Sequence, residues 1–95
     1  RIGNVYTGVI SGVTKWGMYV ELPNTIEGLI HVANMRDDHY NYDESCYEMV
    51  GERTGKVYKL GQEVRVRVAD TDRLMRTIDF VIAKERDEEN GEDEW

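Results

Sequence analysis

The sequence contains a single cysteine, Cys46, so no disulfide can form within the chain. A lone thiol fits a reducing compartment, and a cytoplasmic location is expected. Proline and phenylalanine also occur once each, as Pro23 and Phe80. No apolar run approaches the roughly 20 residues of a membrane-spanning helix, no long amphipathic helix is visible, and no segment repeats. A signal-peptide pattern and an initiating methionine are both missing. Arg1 leads almost at once into strand-like sequence, so the chain is expected to be a piece of a longer protein. Cations are in short supply, with 12 Lys and Arg against 19 Asp and Glu and a net charge of −7. Ninety-five residues make one domain with a modest core.

The acidic balance argues against nucleic acid only until its distribution is considered. Residues 85–95 carry seven acids and one arginine, and the other 84 residues are nearly neutral at −1. That body is itself polarised. Residues 21–52 hold eight acids and one cation, whereas residues 53–76 hold seven cations (Arg53, Lys56, Lys59, Arg65, Arg67, Arg73 and Arg76) and three acids. A basic segment in an otherwise acidic domain is the footprint of an anionic partner. An ordinary strand pair with solvated charges would look the same.

In chain order, residues 3–13 read as a strand in which Val5, Val9 and Val13 share a face, with Gly3, Gly8 and Gly12 letting it coil. Met18 to Leu22 is a second strand, ended by Pro23-Asn24. Glu27 to Val32 is a third, with Ile30 and Val32 on one face and His31 on the other. A short helical turn is expected over 33–38 and an inserted hairpin over 40–50, turning near Glu44-Ser45. Lys56 to Leu60 is a short strand. Glu63 to Asp72 is the clearest strand, with Val64, Val66 and Val68 inward and Arg65 and Arg67 outward. Thr77 to Ala83 is the last, with Ile78, Phe80 and Ile82 on one face. Short strands with glycine at their bends indicate an all-β barrel. Lys84 to Glu94 has no large apolar residue, so an acidic disordered tail is expected over 84–95.

The stretch from Gly12 to Glu21 stands out. Trp16 and Tyr19 lie three apart, which puts them on opposite faces of a regular strand. Gly17 between them permits a bulge that would bring both rings to one face. Two flat rings on an exposed sheet make a platform for unpaired nucleobases. The plainer alternative is that one or both rings belong to the core.

Several motifs coincide in order and spacing: Gly-x-Val early in strand one, Trp16-Gly17-Met18-Tyr19-Val20, Glu27-Gly28-Leu29-Ile30-His31, Gly61-Gln62-Glu63-Val64, and Asp72 and Arg76 around the last turn. Over residues 3–83 the chain resembles an S1 RNA-binding domain. That likeness implies a five-stranded OB-fold barrel, here with a short inserted hairpin and a short helical turn, and a domain spanning 1–83. The family usually has Phe-Gly-x-Phe where this chain has Trp-Gly-Met-Tyr, and both replacements keep a ring. The stretch from Asp37-Asp38 through Tyr42-Asp43-Glu44 to Gly51–Tyr58 further resembles the insertion in the C-terminal S1 domain of bacterial ribonuclease R. The resemblance implies a non-catalytic module that holds single-stranded RNA for a 3′→5′ exoribonuclease whose magnesium-dependent catalytic domain lies outside this chain. No cofactor is expected for the module itself. It implies RNA-contacting roles for Trp16 and Tyr19 as stacking rings, His31 beside them, and Asp72 and Arg76 on the facing turn. Arg65 and Arg67, with Lys56 and Lys59, would supply a field along the RNA backbone. The chain is expected to be a monomer with no membrane partner.

Other readings stay open at this point. The domain could belong to another RNA-processing or translation protein. It could dock to a protein or the ribosome through its tyrosine-rich hairpin. A third reading makes Asp37, Asp38, His39, Asp43 and Glu44 a catalytic carboxylate cluster. Tyr40 and Tyr42 could extend the platform or form a small satellite core, and Cys46 has no assigned role.

Overall fold

The computed structural model describes residues 2–87. Its strands are β1 (Val5–Thr14), β2 (Gly17–Glu21), β3 (Glu27–His31), β4 (Tyr40–Asp43), β5 (Glu48–Gly51), β6 (Val57–Lys59), β7 (Glu63–Asp72) and β8 (Thr77–Ile82). Five of them close the expected barrel in the order β1-β2-β3-β8-β7, and β4-β5-β6 form a separate small sheet. The ladders are antiparallel except where β3 meets β8 in parallel at Leu29↔Asp79. Among the described residues no helix is long and apolar enough to cross a membrane.

β1 serves two walls. Its first half pairs with β7, from Val5↔Arg67 to Val9↔Glu63, and its second half with β2, from Val9↔Glu21 to Thr14↔Gly17. A register shift between Ile10 and Gly12 corrects the expected single valine face. Tyr6 and Ile10 point into the core while Val9 is 43% exposed; beyond the shift Val13 turns inward. One extra residue exchanges the two faces of a strand, so a constant parity cannot hold across it. β7 keeps the expected alternation, with Val64, Val66 and Val68 buried and Arg65 and Arg67 half-buried on the outer side. Phe80 of β8 is fully buried and sits over Gly28 of β3. A Cβ at Gly28 would lie 2.6 Å from the Phe80 ring and 2.9 Å from the Ile78 carbonyl oxygen.

The insertion follows β3. A 3-10 turn occupies Val32–Asn34, shorter than the expected helical turn over 33–38 and starting one residue earlier. β4 and β5 make the expected hairpin, and β6 adds a third strand through Met49↔Tyr58. Tyr40 is buried with its ring 5.7 Å from that of Tyr58, and both join Met35 and Met49 in the core cluster against which Tyr42 packs. That cluster also contains Ile30, Val66 and Phe80, so Tyr40 and Tyr42 belong to a core continuous with that of the barrel and not to a separate satellite core.

The carboxylates of this region organise its turns. Asp38 accepts the Thr54 hydroxyl at 2.7 Å and the amides of Thr54, Arg53 and His39, which hold its carboxyl well below the usual range. Asp43 accepts the Ser45 hydroxyl and amide, which lower its carboxyl as well. Among the described residues, no three His, Cys, Asp or Glu side chains gather as metal ligands.

The chain leaves β8 through a turn in which the Lys84 amide donates to the Asp87 carboxylate at 2.8 Å and the Asp87 amide donates to the Lys84 carbonyl at 2.9 Å. The Arg65 guanidinium donates to the Asp87 carbonyl, and Arg67 lies 3.9 Å from the Asp87 carboxylate. Residues 84–87 of the expected tail thus form a turn held against β7. The rest of the expected tail, 88–95, lies outside the described residues.

Candidate nucleic-acid interface

Thr14 and Gly17 face each other across the β1–β2 ladder, leaving Lys15 and Trp16 as the turn. The Thr14 hydroxyl donates to the Gly17 carbonyl at 3.2 Å and accepts the Trp16 amide at 3.1 Å. Gly17 has φ +154°, and a Cβ there would lie 2.0 Å from the Ile30 carbonyl oxygen. Only a residue without a side chain lets β2 lie this close to β3. These contacts correct the expected position of Trp16. It sits on the turn rather than on β2, the β2–β3 register is unbroken, and the bulge lies in β1 instead. Trp16 is 68% exposed, with the Lys15 ammonium 4.9 Å from its ring centroid. Its carbonyl accepts the Val32 amide at 2.9 Å, which ties the turn to the end of β3.

Alternation along β2 and β3 turns Met18, Val20 and Ile30 inward and Tyr19, Leu29 and His31 outward. Tyr19 pairs with Leu29 on one side and Gly12 on the other, its ring 3.3 Å from where a Gly12 Cβ would stand, and it remains 40% exposed. His31, opposite Gly17, places Nε2 3.2 Å from the Asp79 carboxylate, so the imidazole N–H donates to β8. Tyr19, Leu29, His31, Arg76 and Asp79 line one open depression of ≈ 480 Å³. Trp16 stands outside it, on the hairpin turn.

Asp72 closes β7, and its carboxylate accepts the amides of Leu74 at 3.0 Å and Met75 at 3.1 Å. It therefore shapes the β7–β8 turn that presents Arg76. Arg76 itself holds a left-handed φ of +55°, an unusual conformation for a residue with a side chain. Arg76→Gly is expected to leave thermal stability unchanged or raise it by up to about 1 kcal/mol, while RNA affinity falls. Thermal unfolding and RNA titration of this one variant check both halves; a parallel loss of stability and affinity would contradict it. Arg65 and Arg67 are not gathered at this depression: they lie on β7 against Asp87.

Three contributors escaped sequence reasoning. Lys15 next to Trp16 could have been noticed as a cation beside an exposed ring. Leu29 follows from the parity that places His31 outward. Asp79 had no local signal, because it reaches His31 only through the parallel contact of strands 48 residues apart.

A five-stranded barrel with Tyr19, an oriented imidazole and an arginine lining one depression, and a second exposed ring on the β1–β2 turn, describes an oligonucleotide-binding module. The family model of the S1 RNA binding domain matches residues 1–83, and the chain belongs to that family. Among its relatives are ribonuclease R 1 of Lactococcus lactis, 43% identical over 80 residues that make up 84% of this chain and 10% of that protein. Ribonuclease R of Thermotoga maritima is 40% identical over 89 residues, 93% of this chain and 12% of that protein. The solved structure of Mycoplasma genitalium RNase R in complex with ribose methylated single-stranded RNA superposes with a TM-score of 0.81 at 25% identity, covering 86% of this chain and 13% of that one. This chain is homologous to the S1 domain of ribonuclease R and spans about a tenth of the length of the curated relatives it matches.

Proposed function

We propose that this chain is the non-catalytic single-stranded RNA-holding module of a ribonuclease R-like 3′→5′ exoribonuclease. The observation that carries this reading is the exposure of Trp16 and Tyr19, with Tyr19, His31 and Arg76 lining one depression. One unpaired base stacks on Trp16 and another on Tyr19, each ring contributing about 1–3 kcal/mol. Arg76 meets a phosphate with its guanidinium fork or lies against a base. His31, steadied by Asp79, offers its ring face or its second nitrogen to the same strand. Asp72 acts by shaping the turn that presents Arg76.

Catalysis in this reading belongs to a magnesium-dependent domain elsewhere in the parent protein, and the module works as a monomer in the cytoplasm. Its task is to raise the local concentration of RNA and to prefer unpaired strands, since paired bases cannot lie on the rings. Titrating the chain into a labelled single-stranded hexanucleotide tests it. About three phosphate contacts should give a log–log salt slope near −2. Duplex RNA of the same length should bind more weakly. An absence of hexanucleotide binding at low salt, or a preference for duplex, would overturn the reading.

A further inference from the structure

β3 and β8 form one parallel bridge, at Leu29↔Asp79. β3 then turns away into the 3-10 segment while β8 continues to Ile82. The gap between them opens a second depression, of ≈ 540 Å³, between the barrel and the inserted sheet. Its floor is apolar and includes Tyr58, Val81 and Ile82. Arg36, Lys56, Arg67 and Lys84 line it, with Asp37 as the one carboxylate residue in the lining.

Among the described residues, Lys56 and Arg67 pair with carboxylates, and Arg36 and Lys84 are exposed. Lys56 pairs with Asp37 at 3.6 Å, but both side chains are 54% exposed, and such a pair contributes little and yields readily. The Lys56 ammonium also lies 5.7 Å from the Tyr58 ring centroid. Arg67 is half-buried beside Asp87. No exposed ring is present to stack a base, because Tyr58 is only 5% exposed. The chemistry is that of a phosphate site.

The two depressions share no lining residue, yet they adjoin along β8. Thr77, Ile78 and Asp79 line the first, and Val81 to Lys84 line the second. At about 3.3 Å per residue, Asp79 and Ala83 are about 13 Å apart. An OB fold engages about 4–16 nucleotides, more than two exposed rings can seat. We propose that the second depression continues the RNA track: Arg36, Lys56 and Lys84, backed by Arg67, bind the sugar–phosphate backbone of nucleotides beyond those stacked on Trp16 and Tyr19. This rests on the RNA-binding reading above.

The test compares the chain with its Arg36→Ala/Lys56→Ala/Lys84→Ala variant, using a single-stranded hexanucleotide and dodecanucleotide. The dodecanucleotide should lose about tenfold or more in affinity at low salt, and its salt slope should fall from about −4 to about −2 as three phosphate contacts vanish. Hexanucleotide affinity should change by less than about twofold. Equal losses for both lengths would reveal only a diffuse field, and unchanged dodecanucleotide binding would show that this depression takes something other than RNA; either overturns the subsite and leaves the aromatic face standing. Failure of the unmodified chain to bind the hexanucleotide overturns both. Should the triple variant lose its fold by circular dichroism, the three single variants decide, each expected to make the dodecanucleotide slope shallower by about 0.7.

Discussion

Alanine at Gly17 is expected to destabilise the barrel by about 3 kcal/mol or more, a large part of the roughly 5–15 kcal/mol that holds a small domain folded. The added methyl would sit 2.0 Å from the Ile30 carbonyl oxygen, well inside contact distance, on a backbone at φ +154°. Neither partner can give way cheaply. The carbonyl belongs to β3, whose ladder with β2 runs unbroken from Gly17↔His31 to Glu21↔Glu27. Moving the strands apart would strain the rung that sets His31 and the turn that presents Trp16. Thermal unfolding should show the midpoint lowered by about 12 °C or more, given about 4–8 °C per kcal/mol in a domain of this size. A midpoint within about 2 °C of the parent chain would mean that β2 and β3 do not approach as closely at this point.

The second large effect is on binding rather than folding. Trp16→Ala should weaken single-stranded RNA binding about 5- to 150-fold, the range that corresponds to 1–3 kcal/mol for one lost stacking ring. Stability should change by less than about 0.5 kcal/mol, because the ring is 68% exposed and has left the strand for the turn. Its neighbour Lys15, 4.9 Å from the ring centroid, loses its aromatic partner but keeps its charge for a phosphate. The pair of variants separates two roles that are adjacent in sequence: Gly17 holds the hairpin against β3, and Trp16 uses the position that results. Anisotropy of a labelled oligonucleotide measures the affinity. An unchanged value would remove Trp16 from the site.

How far these features could be read without coordinates depends on the range of the interactions behind them. The alternation Val64, Val66, Val68 against Arg65, Arg67 is a local signal, and β7 follows it. The same rule applied to Val5, Val9 and Val13 failed, because the register shift between Ile10 and Gly12 leaves no mark in a pattern of small and β-branched residues. The exposure expected of Trp16 has a different origin: the turn carries it outward, not a bulge at Gly17. Parity alone places His31 on the outer face, but its partner Asp79 depends on the parallel seam that closes the barrel. The basic segment alone places Lys56 in a diffuse field. Its place in the second depression follows from β6 pairing with β5, and from β3 parting from β8, neither of which a linear reading contains.

The most direct test follows the fluorescence of Trp16 itself while single-stranded RNA is added to the chain carrying Trp95→Phe, so that one tryptophan reports. Stacking of a base on the indole predicts saturable quenching that tracks binding measured by anisotropy and weakens as salt is raised. Binding seen by anisotropy with no change at Trp16 would contradict the proposal that this ring is a stacking surface for RNA.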